Sequence, residues 1–305
     1  MTRRAGNTRG GPSLELRYAS GFRAASGLPH PRMARRAEPH HTTPAARVTI
    51  SVVSHGHGHY VRQILLDLEK AAARIDKVIV TRNVPEADVL SGLALSFPLE
   101  FIDNAQPRGF GANHNAAFRH CGSPWFLVLN PDVRIGPEAI ATLLDEAAPT
   151  SGVVAPRVME PGKAAPEPHR GHLTPFEIMG RWVRRDNDRA QPQWVAGMFM
   201  LFRSAAYGRV GGFDEKFFMY VEDADICARL RLAGWDVTVN EAVRILHDAQ
   251  RASDHHWQHL AWHWASLLRW WASSPFWRLV FARGPSAPLP VSGQPATASQ
   301  SARRE

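Results

Sequence analysis

From Val48 onward the chain repeats one pattern, a short apolar run followed by a stretch with helical spacing, and this alternation limits the fold more than any other feature. Val48 to Val53 reads as a buried strand, and Val61, Ile64, Leu65 and Leu68 then mark one face of a helix from about Tyr60 to Ile75. Further strands are predicted at Lys77 to Thr81, Leu99 to Asp103, Trp125 to Leu129 and Gly152 to Val158. Helices are expected between them, at Asn113 to His120 and from Pro137 to Ala148. Gln193 to Arg203 is apolar nearly throughout and predicts a central strand, and Asp236 to Asn240 and Ala242 to Leu246 predict two more. Residues 159–190 carry little pattern and read as loops with one short helix near 175–184. Alternating strands and helices imply a mostly parallel α/β sheet, with ligands outside the carboxyl ends of its strands.

Within this frame the stretch from Gly211 to Trp235 stands out. A glycine pair and an aromatic run lead into three acids, Glu222, Asp223 and Asp225, at the start of a helical pattern that stops at Gly234. Ile226, Leu230 and Ala233 form a stripe that should face a core. Asp223 lies three residues before Ile226 and extends that stripe, so its carboxylate is expected to line a cleft. Asp225 and Arg229 are spaced as an ordinary i, i+4 pair, and Asp225 is read as structural.

The formal net charge of +8 suggests nucleic acid until it is located. Residues 1–47 hold nine Arg against two Glu, a net +7, and residues 282–305 add a net +2. The middle is therefore −1, and without a basic face or an interleaved aromatic platform a nucleic-acid partner is not expected. The two ends read as disordered basic segments, 1–46 and 282–305, flanking a catalytic domain at 47–253 and a helix at 254–281. A transit peptide and an upstream start-codon choice both account for the first of these. Cys121 and Cys227 give no disulfide framework or metal spacing, which fits a cytoplasmic setting. The N-terminus lacks a continuous apolar run, and no run of ~18 uncharged apolar residues predicts a membrane span.

Four constellations could carry chemistry. Asn130-Pro131-Asp132 follows directly on the Trp125–Leu129 strand, where an acid could hold a hard divalent cation; alone, it serves equally well as a turn. Arg108 to Asn115 (RGFGANHN) could receive phosphate or sugar oxygens at a helix N-terminus, although a glycine-rich helix start is the simpler reading. His247 follows the last strand and gains interest only because Asp132 and Asp223 belong to the same sheet edge. Trp194 could stack on a sugar, with core filling as its default role.

The ordered set Asn104 to Asn115 (NxxxxGFGAxxN), Leu129 to Asp132 (LNPD), Trp194 to Gly197 (WVxG), Gly211 to Asp225 (GGFDExFFxYxEDxD) and His247 resembles family 2 glycosyltransferases. The similarity is greatest to the rhamnosyltransferase-like group of bacterial surface-polysaccharide synthesis. It covers about Val48 to Arg251, and the order of five motifs makes it specific. The resemblance implies a GT-A (Rossmann-like) fold, a nucleotide-diphosphate sugar donor, a glycan or lipid-linked acceptor, a divalent cation (Mg²⁺ or Mn²⁺) and inversion at the anomeric carbon. On it, Asp132 and His247 are metal ligands, Asp223 is the catalytic base and Glu222 its acidic neighbour. Trp194 and Gly197 belong to the acceptor side, and Ser54, Asn83, Asn104, Gly109, Gly111, Asn115 and Asn130 to the donor side. Two departures fall on the nucleotide pocket. Arg82-Asn83 stands where relatives carry Asp-Asn, and Ser54-His55-Gly56-His57 where many have Asn-Tyr-Asn. Two other readings stay open: a sugar nucleotidyltransferase, whose basic loop after the first strand is lacking here, and a catalytically silent nucleotide- or glycan-binding module.

Residues 254–281 crowd six Trp with several His, Arg269 and Arg278. They predict one long amphipathic helix, peripheral on the inner face of the plasma membrane or packed against protein.

Overall fold

The computed structural model describes residues 45–171, 173–175, 177–178, 192–247 and 256–281. Among these, eight strands form one sheet: β1 (Val48–Ser54), β2 (Ile75–Arg82), β3 (Leu99–Asp103), β4 (Trp125–Leu129), β5 (Val133–Arg134), β6 (Ser151–Met159), β7 (Phe199–Arg203) and β8 (Asp236–His247). Their order is β3-β2-β1-β4-β7-β6-β8-β5. The β3-β2-β1-β4 half is parallel, β7 runs antiparallel between β4 and β6, and β6 and β8 are parallel again. The expected mostly parallel α/β sheet is therefore present, and the antiparallel β7 lies at its middle.

The sheet has a core on each face, and strand alternation assigns residues to them. Trp125, Leu127 and Leu129 of β4 face one core with Val48, Ile50 and Val52 of β1. Phe126 and Val128 face the other, with Met200 and Phe202 of β7. All five β4 residues are buried, which explains why the strand reads as an unbroken apolar run. Helices α1 (Gly58–Lys70) and α3 (Ala139–Asp145) cover the first core. On the second face lie α2 (Phe110–Phe118), α4 (Ser204–Arg209), α5 (Glu222–Leu232), α6 (His256–Trp271) and α7 (Ser274–Phe281).

Several expected boundaries shift. Helix α1 stops at Lys70 and tightens into a 3₁₀ turn, Ala72–Arg74, where the Ala71 N–H donates to Leu68 O. Ile75 fits the helical period yet begins β2, because its side chain fills the core beneath the sheet. Helix α2 starts three residues before the expected Asn113, and α3 is shorter than Pro137 to Ala148.

The apolar run Gln193 to Arg203 is a strand only from Phe199; Trp194 makes a single bridge to Arg170. Trp194, Val195 and Ala196 line a cleft, which periodicity cannot distinguish from strand burial. Conversely, the two strands expected at 236–246 are one. Asn240 Oδ1 accepts from the Ala242 and Val243 N–H groups in a bulge, and the β6 register steps from Asn240 to Arg244 there. The short helix expected near 175–184 lies mostly outside the described residues.

The single helix expected at 254–281 is two. Ser273 Oγ accepts from Phe276 N, and Pro275, which has no N–H to donate, sits in the first turn of α7. Leu267, Trp270 and Phe276 are buried in the same core as Ile226 and Leu230 of α5. The expected domain boundary near 253 thus does not separate two cores: α6 and α7 belong to the packing of the catalytic domain.

Candidate active site

The carboxyl edge of the sheet collects most of the expected residues. Asp132 leaves the end of β4, and the short strand β5 pairs with β8 so that Val133 lies opposite His247. That register brings His247 Nε2 to 3.3 Å from Asp132 Oδ2. The contact raises the imidazole's pKa, against the opposing effect of burial. Asp132 Oδ1 is buried and has no hydrogen-bond partner. A buried carboxylate oxygen without a donor, beside an imidazole nitrogen, suits a cation far better than it suits an apolar core.

Glu222 and Asp223 open α5. Tyr220 and Val221 just before them have φ of 71° and 70°, the two non-glycine residues with positive φ among those described. A β-branched residue in this region costs about 1–3 kcal/mol, so the turn must be held by its surroundings. Asp223 Oδ2 accepts from the Gly197 N–H at 3.1 Å and Oδ1 from the Ala224 N–H at 2.8 Å. Burial pushes its pKa up, opposed first by the Arg170 guanidinium. Glu222 is more enclosed, 6% exposed with Oε2 lacking any partner. Burial, then the neighbouring Asp223 charge, raises its pKa to about 8. Glu222 therefore holds a proton near neutral pH, whereas at Asp223 the Arg170 guanidinium and the Ala224 and Gly197 N–H groups favour the carboxylate against the effect of burial.

The two halves of the site meet at residues 197–198. The Asn130 N–H donates to Met198 O at 2.9 Å, while the next residue back, Gly197, donates to Asp223. A Cβ on Gly197 would lie 3.1 Å from the Phe110 ring, so glycine there keeps the cleft wall thin. Trp194 is 8% exposed, its Nε1–H donates to Gly171 O, and Arg170 sits 4.8 Å above its ring. It is a buried wall, not an open stacking platform. Arg157, Glu167 and His169 line the same cleft.

The residues expected on the donor side are largely engaged in hydrogen bonds within the protein. Ser54 Oγ donates to Glu86 Oε2 at 2.7 Å and accepts from the His57 N–H. Asn83 Oδ1 accepts from Asn104 Nδ2 and from the Arg108 N–H, both at 2.8 Å, and Asn104 Nδ2 also donates to Asn113 Oδ1. These amides fix the 104–109 loop. Asn115 holds the segment after β7: its Oδ1 accepts from Tyr207 Oη and Phe213 N, and its Nδ2 donates to Phe213 O.

The glycines have the same explanation. A Cβ on Gly109 would meet Phe218 O at 2.6 Å, and one on Gly111 would meet Phe213 Cβ at 2.6 Å. Gly109, Gly111 and Asn115 let the 212–218 loop dock on α2, a packing role that stands beside the donor-side role the resemblance implies. Asp225 behaves as expected, 2% exposed and bonded to Arg229 at 2.8 Å, while Arg229 also donates to Val210 O and Gly212 O.

Arg82 pairs with Asp103, with Nη2 at 2.8 Å from Oδ2. Hydrogen bonding to Asp103 raises the guanidinium's pKa and lowers that of Asp103. Sequence reasoning missed Glu86, Arg170 and Met198. Arg170 comes from the patternless 159–190 stretch, where no periodicity marks it.

Residues 49–216 match the family model described as Glycosyl transferase family 2. The chain is 28% identical over 270 residues to the N-acetylglucosaminyl-diphospho-decaprenol L-rhamnosyltransferase of Mycobacterium tuberculosis, covering 75% of this chain and 88% of that protein. It is 27% identical over 248 residues to rhamnosyltransferase WbbL of Escherichia coli, covering 74% of this chain and 92% of that one. Among solved structures it is similar to the mannosyltransferase PcManGT from Pyrobaculum calidifontis, determined with GDP-Man and Mn²⁺ (TM-score 0.53, 17% identity, 74% of this chain). This chain covers 65% of that protein, just under two thirds, and the likeness concerns the fold.

Proposed function

The chain belongs to glycosyl transferase family 2, and on that premise we propose that it is an inverting enzyme moving L-rhamnose from a nucleoside-diphosphate donor to a lipid-linked glycan. Transfer from a nucleotide sugar follows from the family, which sets aside the silent-module and nucleotidyltransferase readings. The sugar and the carrier are inferred from the mycobacterial relative, whose name specifies L-rhamnose and a diphospho-decaprenol acceptor.

One observation carries the mechanism. A half-buried acid–imidazole pair, Asp132 and His247, and a carboxylate, Asp223, lie at the carboxyl edge of the sheet, where Asn130, two residues before Asp132, donates to Met198 O and Asp223 accepts from the adjacent Gly197 N–H. Asp223 removes the proton from the attacking acceptor hydroxyl, a role worth roughly 10²–10⁴-fold in rate. Its oxygens are aimed by the Gly197 and Ala224 N–H groups, and Glu222, kept protonated by burial, adds no second charge beside it. Asp132 and His247 would hold a divalent cation, which neutralises charge on the departing nucleoside diphosphate. An acid on one side and a base on the other suit a single displacement with inversion; no carboxylate nucleophile is needed.

The acceptor side extends to a lipid surface. Trp257, Leu260, Trp264 and Leu268 form an exposed stripe along α6, and Trp277 and Phe281 stack on each other on α7. Tryptophan on a helix with Arg269 suits the bilayer interface, and no helix among the described residues is long and apolar enough to cross a membrane. Peripheral binding at the cytoplasmic leaflet is the reading adopted. It is tested by vesicle co-sedimentation with Trp264→Ser/Leu268→Ser, because truncation near 253 would also strip Leu267, Trp270 and Phe276 from the core. Equal pelleting of native and variant protein sinks the lipid-surface reading.

The catalytic reading is tested by incubating the protein with Mn²⁺, a nucleoside-diphosphate L-rhamnose and a prenyl-diphosphate-linked N-acetylglucosamine, and reading product mass. A gain of one deoxyhexose on the acceptor is expected. Transfer of a different sugar from a donor panel would correct the substrate, and transfer of none would overturn the reading.

A further inference from the structure

Helix α6 does more than present an apolar stripe. Its inward face touches the turn that precedes the catalytic acids at three successive residues. Trp262 packs on Phe218 with ring centres 5.0 Å apart, Ser266 Oγ donates to Met219 O at 2.8 Å, and His259 Nδ1 lies 2.7 Å from Tyr220 Oη. The ring of His263 is 5.3 Å from that of Tyr220. From the other side, the Phe110 N–H donates to Phe218 O. Tyr220 and the buried Val221 are the residues with positive φ, and Glu222 and Asp223 follow at once.

Backbone in this region persists only where its surroundings over-determine it. Here the contacts come mainly from a helix some forty residues further along the chain. A relaxed turn would re-aim the first turn of α5 and with it both acids. No other element described so far accounts for His259, which is half-buried and bonded to a tyrosine outside the reacting groups.

We propose that His259, acting through Tyr220, is a positioning residue for the Glu222–Asp223 pair, so that α6 is part of the transfer machinery as well as a candidate lipid-facing surface. The proposal rests on the catalytic reading above. Position is what it concerns, so the turnover step should suffer while donor affinity, set at the far side of the sheet edge, should not.

The test is steady-state transfer of L-rhamnose by full-length native protein, His259→Ala, His259→Asn, Tyr220→Phe, the His259→Ala/Tyr220→Phe double variant and Asp223→Asn. His259→Ala is expected to lower kcat roughly 10- to 100-fold with donor KM within about twofold of native. His259→Asn, whose amide can reach the position of Nδ1, should recover much of the loss. The double variant should be no worse than the more impaired single, the signature of one shared contact. Melting temperatures and vesicle binding within error of native separate this from unfolding or lost membrane contact. Three results would overturn the proposal: native kcat in His259→Ala, a loss confined to KM, or additive losses in the double variant. If Asp223→Asn itself transfers normally, the catalytic reading fails; if Asp223→Asn is inactive and His259→Ala is normal, only the positioning role fails.

Discussion

Replacing Gly109 with alanine should damage turnover without touching a reacting group. Gly109 has φ −65° and ψ 162°, which alanine adopts freely, so backbone conformation is not the obstacle. The obstacle is Phe218, whose carbonyl oxygen would lie 2.6 Å and whose Cα 2.9 Å from the new Cβ. Ordinary contact begins near 3.4 Å, so the Phe218 backbone must retreat by the difference, about 0.8 Å. Overpacking of this kind costs about 1–3 kcal/mol. At about 2–4 °C per kcal/mol for a domain of this size, the melting temperature should fall by roughly 2–12 °C. Phe218 lies four residues before Glu222, and a displacement approaching 1 Å at a catalytic group costs up to about 100-fold in rate. The assay is kcat and donor KM for Gly109→Ala beside Gly122→Ala, whose Cβ would meet nothing within 4 Å. Identical behaviour of the two variants would refute the close-approach argument. A rise in donor KM alone, at an unchanged melting temperature, would return Gly109 to the phosphate-receiving role that its motif first suggests.

Asp132→Asn should abolish the extra thermal stabilisation that Mn²⁺ gives in the presence of a nucleoside diphosphate; a retained Mn²⁺ shift would remove Asp132 from the metal site. Glu222→Gln should flatten the pH dependence of stability. The folded pKa of about 8 lies above the ordinary 4.5, so the native chain's advantage from this group is full below pH 4.5 and is lost as pH rises through about 8. On the order of a few kcal/mol is involved, and parallel melting profiles for variant and native protein between pH 5 and 9 would contradict it. Arg82→Ala removes an ion pair whose Asp103 partner is largely exposed, and its melting temperature should match native within error. A large fall would show that the pair is structural.

Much of the fold was legible because burial leaves a simple trace in sequence. The strand at Trp125–Leu129 appears at its expected limits because burial on both faces leaves an unbroken apolar run, and the edge strand Leu99–Asp103 keeps its limits although none of its residues is fully buried. The i, i+4 stripe is buried at Ile226 and Leu230, and Asp223, which extends it, accepts from the Gly197 N–H. Periodicity failed where one pattern served two purposes. Ile75 fits both helix and strand, Trp194, Val195 and Ala196 line a cleft, and the Trp-rich segment is divided by Ser273 and Pro275. At the candidate site, Asp132, His247 and Asp223 stand out in the sequence as candidates because acids and a histidine at strand and helix ends are conspicuous; the proximity of Asp132 and His247 is what the structure adds. What the motif glycines and asparagines do could not be read in advance: their neighbours, Phe213 and Phe218, lie about a hundred residues away in the chain.

The central claim is that Asp223 is the base of a cation-assisted transfer, and one comparison tests it most directly. Native protein and Asp223→Asn are given the same Mn²⁺, nucleoside-diphosphate L-rhamnose and prenyl-diphosphate-linked N-acetylglucosamine, with donor binding followed by thermal shift and product by mass. The account predicts that Asp223→Asn keeps the donor-induced shift and loses transfer by roughly 10²–10⁴-fold. Undiminished transfer by Asp223→Asn, with the donor bound as in the native chain, would contradict it.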